Sequence, residues 1–292
     1  MASENTKMDA VTGVSTTGHD WDGIQELNTP LPRWWLWLFY ACIVWAIGYW
    51  IAYPAWPLAS TYTKGLLGYQ TRAAVEKDLA DLQALPQRRE AFAAIAAKPL
   101  ADIEKDPALL TSARAIGKAA FGNNCAPCHG QGAQGAKNYP NLNDDQWLWG
   151  GSLDAIKQTI THGIRNEDAE SRTGNMPAFV KDGILKKEDA PNLAAFVRTL
   201  AGNKPERGDV AKGKQLFAEN CAACHGEAGK GNPEVGAPNL TANIWLYGGD
   251  QATIEETITN GRGGVMPTWA ARLDDPTIKA LAVYVHSLGG GQ

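Results

Sequence analysis

The chain has 292 residues, 44% of them apolar and 20% charged, with 27 basic side chains against 31 acidic ones. That length allows about two domains, the apolar fraction excludes a disordered chain, and the slight acid excess without a clustered basic footprint excludes nucleic acid as a partner. Four of the five cysteines fall in two equal spacings, Cys125/Cys128 and Cys221/Cys224, leaving Cys42 alone, so a disulfide framework is not the reading of the cysteines.

Residues 1–33 are polar, with scattered Gly, Thr and Pro and five acids against Lys7 and Arg33, which predicts an irregular segment. From Trp34 to Tyr53 the chain reads "WWLWLFYACIVWAIGYWIAY" without a charge. As a helix this stretch spans about 30 Å, one bilayer core, and the aromatic clusters near its two ends suit membrane interfaces. Pro54 and Pro57 end it. A cleaved leader would need a basic start and a shorter apolar stretch, so a permanent transmembrane anchor is predicted, with Cys42 as a small packing residue.

Residues 54–110 connect the anchor to the C-terminal region. Val75, Leu79 and Leu82 in "TRAAVEKDLADLQAL" have the spacing of an amphipathic helix. It either lies on the membrane surface or a partner subunit, or acts as a spacer that caps the next domain.

The remainder is an internal repeat. "GKAAFGNNCAPCHGQG" matches "GKQLFAENCAACHGEA", "YPNLNDDQWLWGG" matches "APNLTANIWLYGG", "TITHG" matches "TITNG", "NMPAF" matches "VMPTW", and "LAAFVRTLAG" matches "LAVYVHSLGG". Two units are therefore expected, at 111–204 and 205–292. In each, C-x-x-C-H is the spacing at which two thiols attach one haem c and the next histidine reaches its iron. Covalent attachment is assigned to Cys125 and Cys128 for one haem and to Cys221 and Cys224 for the other, with His129 and His225 as iron ligands. A zinc ribbon would need its second C-x-x-C much nearer, and a thioredoxin-like pair would need a βαβ context.

Met176 and Met266 stand at matching places, each followed by Pro. A methionine is often only core filler, but this repeated position makes them the expected sixth ligands, a pairing that raises the reduction potential. His162 is the rival ligand in the first unit, although Asn260 stands opposite it; His286 is read as a surface residue. Pro140 and Pro238 are expected to shape the loops over the histidines. Trp147 and Trp245 are expected at the haem edge or in the core, and Gly150, Gly151, Gly248 and Gly249 in turns.

Each unit resembles a class I cytochrome c domain, so the fold class is all-α: one N-terminal transmembrane helix followed by two tandem cytochrome c domains. The whole chain, above all "WDGIQELNTPLPRWW" before the membrane helix, resembles the dihaem subunit III of cbb3-type cytochrome c oxidases. That resemblance implies an electron-entry subunit. It would accept electrons from a donor cytochrome c and pass them through a monohaem cytochrome c subunit to the haem–copper subunit that reduces oxygen and pumps protons. It also implies a single pass of the bacterial inner membrane, with a cytoplasmic N-terminus and periplasmic haem domains. The alternatives are the cytochrome subunit of a periplasmic dehydrogenase and a haem-based gas sensor. The unit at 205–292 carries seven basic and ten acidic residues, which points it toward a basic donor by steering that weakens with salt.

Overall fold

The computed structural model describes residues 6–289; residues 1–5 and 290–292, the outer ends of the polar N-terminal segment and of the second repeat, lie outside them. Two compact units divide the chain at residues 83 and 84.

In the first unit, the segment expected to be irregular contains a hairpin of β1 (Thr16–Trp21) and β2 (Ile24–Leu27). Its turn is Asp22-Gly23, both residues with positive φ, the pairing that suits the right-handed twist of a two-residue hairpin. α1 (Arg33–Ala52) follows, apolar on every face and with none of its residues buried. Its mean hydropathy of 1.6 and 20-residue length suffice to cross a membrane. The last turn of α1 is closed by the returning chain: Leu66 and Leu67 donate their N–H groups to the carbonyls of Ile51 and Ala52. Gly65, at φ 69°, sits too close to the Ala52 and Tyr53 backbone to carry a side chain. α2 (Thr71–Ala84) leaves Val75, Leu79 and Leu82 exposed.

The second unit begins with α3 (Pro86–Ala97) and α4 (Leu100–Lys105), in the stretch expected to be a linker. They belong to a core instead, because Ile95, Leu100 and Ile103 are buried. Lys279 ties α3 down by donating to the carbonyls of Ala96 and Lys98 at 2.7 and 3.0 Å. Then come α5 (Pro107–Asn124), the four-residue α6 (Ala126–His129) and α7 (Leu153–His162). The second repeat supplies their counterparts: α8 (Ala190–Leu200) closes the first copy, and α9 (Val210–Asn220), α10 (Ala222–His225), α11 (Gln251–Asn260) and α12 (Asp275–His286) build the second. Asp106 and Asp209 cap α5 and α9 by accepting backbone N–H groups, so both copies start their first helix with the same device.

Two helical cores result, but each draws on both repeats. α5 packs against α12, and α9 against α8. Gly117 lies against the Ala280 carbonyl and Tyr284, while Gly213 lies against the Asn192 carbonyl and Phe196; a Cβ at either glycine would collide with backbone. Aromatic pairs lock both crossings, Phe121 with Tyr284 at 5.5 Å and Phe217 with Phe196 at 5.2 Å between ring centroids. The boundary at 204/205 thus divides the repeats without dividing the cores: one contains α3–α7 with α12, the other α8, α9 and α11.

This regrouping narrows the acid excess read from 205–292. Residues 176–258, the span of the second core, hold nine basic and eleven acidic side chains.

Gly117→Ala is expected to destabilise the haem-loaded protein by about 1–3 kcal/mol, the usual cost of overpacking, and to speed hydrogen exchange in α12 rather than α8. Faster exchange in α8 with α12 unchanged would contradict the crossed packing.

Candidate haem sites

Each C-x-x-C-H hexapeptide ends a long helix and turns through one short one. The cysteine at 125 or 221 caps the first helix, the four-residue α6 or α10 carries the histidine, and a glycine with positive φ, Gly130 or Gly226, takes the chain out. That exit explains why the sixth letter is Gly in both copies.

His129 Nδ1 donates to the Pro140 carbonyl at 3.0 Å, and His225 Nδ1 to the Pro238 carbonyl at 3.1 Å. The carbonyl can only accept, so Nδ1 carries the proton and Nε2 is left with the lone pair a metal needs. Burial lowers the pKa of both rings, partly countered by those carbonyls, which favours the neutral, ligating form. Burial, with the neighbouring cysteine, pushes the Cys125 and Cys221 thiols up to about 11. Cys128 and Cys224 are exposed. Chemistry and geometry both fit a covalently tethered haem: two thiols one helical turn apart, an oriented imidazole behind them and an apolar core in front.

The methionines divide across the repeats. Met266, Cys125 and Trp147 all pack against the buried cluster that holds Phe121, and Met176, Cys221 and Trp245 against the one that holds Phe217. Backbone bridges fix both crossings. Met266 and Ile164 exchange N–H···O bonds at 3.0 and 2.9 Å, and Met176 and Arg262 exchange theirs at 2.9 and 3.1 Å. Ile164 follows the first copy's "TITHG" and Arg262 the second copy's "TITNG", so each methionine meets the loop of the other repeat.

His162 has both ring nitrogens against carboxylates, Nδ1 on Asp168 at 3.1 Å and Nε2 on Glu170 at 3.2 Å. Both ring nitrogens are thereby engaged by carboxylates. The two acids lie on eight residues that the first copy inserts between its glycine and its methionine, and the second copy has neither the insertion nor the histidine. His286 is tied to Glu104 at 2.8 Å.

Trp147 and Trp245 lie beside their cores, each packed on a glycine: a Cβ at Gly151 or Gly249 would be 2.6 Å from the indole Cδ1. These two glycines therefore provide contact room, while Gly150 and Gly248 take the positive φ of the turn. Sequence reading passed over Trp149 and Tyr247, two places further on. The Arg172 guanidinium stacks over Trp149 at 5.2 Å and Arg262 over Tyr247 at 4.5 Å; the matched aromatic positions in "WLWGG" and "WLYGG" were the available signal.

Comparison with known proteins finds a membrane-segment match and two cytochrome matches that follow the two repeats. Residues 13–60 match the model described as the N-terminal domain of cytochrome oxidase-cbb3, FixP. Residues 115–201 match the cytochrome c model, and residues 208–285 that of cytochrome c oxidase, cbb3-type, subunit III. The cbb3-type cytochrome c oxidase subunit FixP of Azorhizobium caulinodans is 62% identical over 99% of this chain and 98% of its own length. FixP of Bradyrhizobium diazoefficiens is 60% identical over 99% and 100%. The subunit CcoP of Cereibacter sphaeroides is 51% identical over 95% of both.

Gly151→Ala and Gly249→Ala are each expected to displace one indole and cost about 1–3 kcal/mol, read as a lower denaturation midpoint and an altered Soret circular dichroism. An unchanged Soret signal in both would show that these indoles are not held at the haem pockets.

Proposed function

The chain belongs to the family of subunit III of cbb3-type cytochrome c oxidases, the FixP/CcoP subunits, and on that basis we propose a crossed ligation: the iron on His129 takes Met266, and the iron on His225 takes Met176. As a subunit of this oxidase, an oxidoreductase complex, the chain is its dihaem electron-transfer component, with two covalent haem c groups and the other oxidase subunits as partners. A dehydrogenase subunit is not favoured, since the full-length relatives carry the oxidase name.

Haem iron supplies a one-electron couple tuned by its axial ligands and burial. The chain's residues do the rest. Cys125, Cys128, Cys221 and Cys224 fix the groups, the Pro140 and Pro238 carbonyls orient the imidazoles, and the two cores exclude water from the methionine side. With His129 and Met266, and His225 and Met176, holding the irons on both faces, neither iron would be open to oxygen, so oxygen reduction would belong to the haem–copper subunit. Electrons enter from a donor cytochrome c and leave through the monohaem subunit. α1 anchors the chain in the bacterial inner membrane with the N-terminus cytoplasmic and the haem cores periplasmic, the side on which haem c is attached.

The placement of Met266 on the same core as Cys125, and of Met176 on the same core as Cys221, carries the ligation proposal. With Cys125→Ala and Cys128→Ala only the second haem stays attached. Met176→Ala is then expected to abolish the weak charge-transfer band that methionine sulfur gives ferric haem, and Met266→Ala to leave it. The reciprocal chain, with Cys221→Ala and Cys224→Ala, is expected to lose the band with Met266→Ala alone. Ligation within each repeat gives the opposite result in both.

A further inference from the structure

The eight residues inserted in the first copy form a closed loop at the place where the two methionine segments meet. Arg165 N–H donates to the Arg172 carbonyl at 2.7 Å, and Arg172 N–H to the Gly163 carbonyl at 3.2 Å. The Arg165 side chain then leaves the loop in two directions. Its Nε donates to the Gly264 carbonyl at 2.5 Å and its Nη1 to the Gly174 carbonyl. Gly174 stands two residues before Met176 and Gly264 two residues before Met266, so one guanidinium joins equivalent carbonyls of the two copies. Beside it, Asn166 Nδ2 donates to the Met266 carbonyl at 2.8 Å.

Arg165 has φ 51°, a left-handed conformation uncommon for a side chain of this kind and held only where surroundings over-determine it. Counted from the preceding glycine, Arg165 stands where the second repeat has Gly263, and a Cβ there would lie 3.8 Å from Arg165 Cδ. A single copy therefore supplies the clamp, and it lies across the other copy's glycine. The planar fork of arginine suits two acceptors in different directions; a lysine carries the same charge on a flexible stem without it.

We propose that Arg165 is a shared positioning residue that holds Met176 and Met266 in register with their two irons together. This rests on the crossed ligation proposed for the two haems. Arg165 touches neither iron and acts through the two loop carbonyls, so its loss frees both methionine segments at once.

The test uses the assembled oxidase with Arg165→Gln and Arg165→Lys, and Met176→Ala and Met266→Ala as references, all checked for full haem c content. The methionine charge-transfer band and the midpoint potentials of this subunit's haems are read together. Both Arg165 variants are expected to weaken the band at both haems and to lower both potentials, the lysine variant included. Loss at one haem alone, or a wild-type band in Arg165→Lys with a potential shift only in Arg165→Gln, would overturn the clamp and leave a simple charge effect. Methionine references that each remove one band beside unaffected Arg165 variants sink the clamp and keep the ligation. References that remove no band sink both.

Discussion

Two glycines set the architecture of the haem-bearing unit. A cytochrome c core closes by crossing its first and last helices, and here the crossing brings helix backbones together at Gly117 and Gly213, where no Cβ fits. Each close approach fixes the partner helix in register. The aromatic residues one turn on, Phe121 and Phe217, then meet Tyr284 and Phe196 across the same seam. Once those registers are set, the loops entering and leaving the partner helices must carry Met266 to the first core and Met176 to the second.

Nothing in the two seams alone chooses crossed over uncrossed pairing, because α8 and α12 present matching faces and so do α5 and α9. The connection decides. Only residues 201–209 separate α8 from α9, and elements joined by a short segment generally pack as neighbours; closing a short loop also costs less chain entropy than closing a long one. With α8 taken by α9, α5 is left for α12, although residues 125–274 lie between them in sequence. α3 and α4 complete that seam, which explains why residues resembling a spacer bury Ile95 and Ile103 fully.

The haem chemistry was legible in the sequence because it is local. C-x-x-C-H is fixed by one covalent attachment, the glycine after it by one backbone angle, and the membrane helix by twenty uncharged residues in a row. Pairing is non-local, and an internal repeat makes it degenerate: every motif that identifies a partner in one copy identifies the same partner in the other. The linker misled for a related reason, since Val75, Leu79 and Leu82 have a clearer helical spacing than Ile95, Leu100 and Ile103, yet the first set is exposed and the second buried. The hairpin was readable from Asp22-Gly23 but stood inside a polar stretch that composition alone assigned to irregular structure.

Exchange of the closing elements changes what a two-haem chain can do. In tandem domains joined by a linker, the state of one iron reaches the other only through space. In the crossed arrangement the segment that brings Met176 to the second core springs from the end of α7 in the first, and the segment that brings Met266 to the first springs from α11 in the second. Any strain that moves one methionine segment is therefore felt at the bridge made by Ile164 and Met266 or by Arg262 and Met176, and those bridges lie side by side under one arginine. Thermodynamic linkage makes such coupling reciprocal: whatever free energy a change at the first site imposes on ligation at the second, the second imposes equally on the first. With the crossed ligation and the Arg165 clamp proposed above, the two haem sites would form one coupled element.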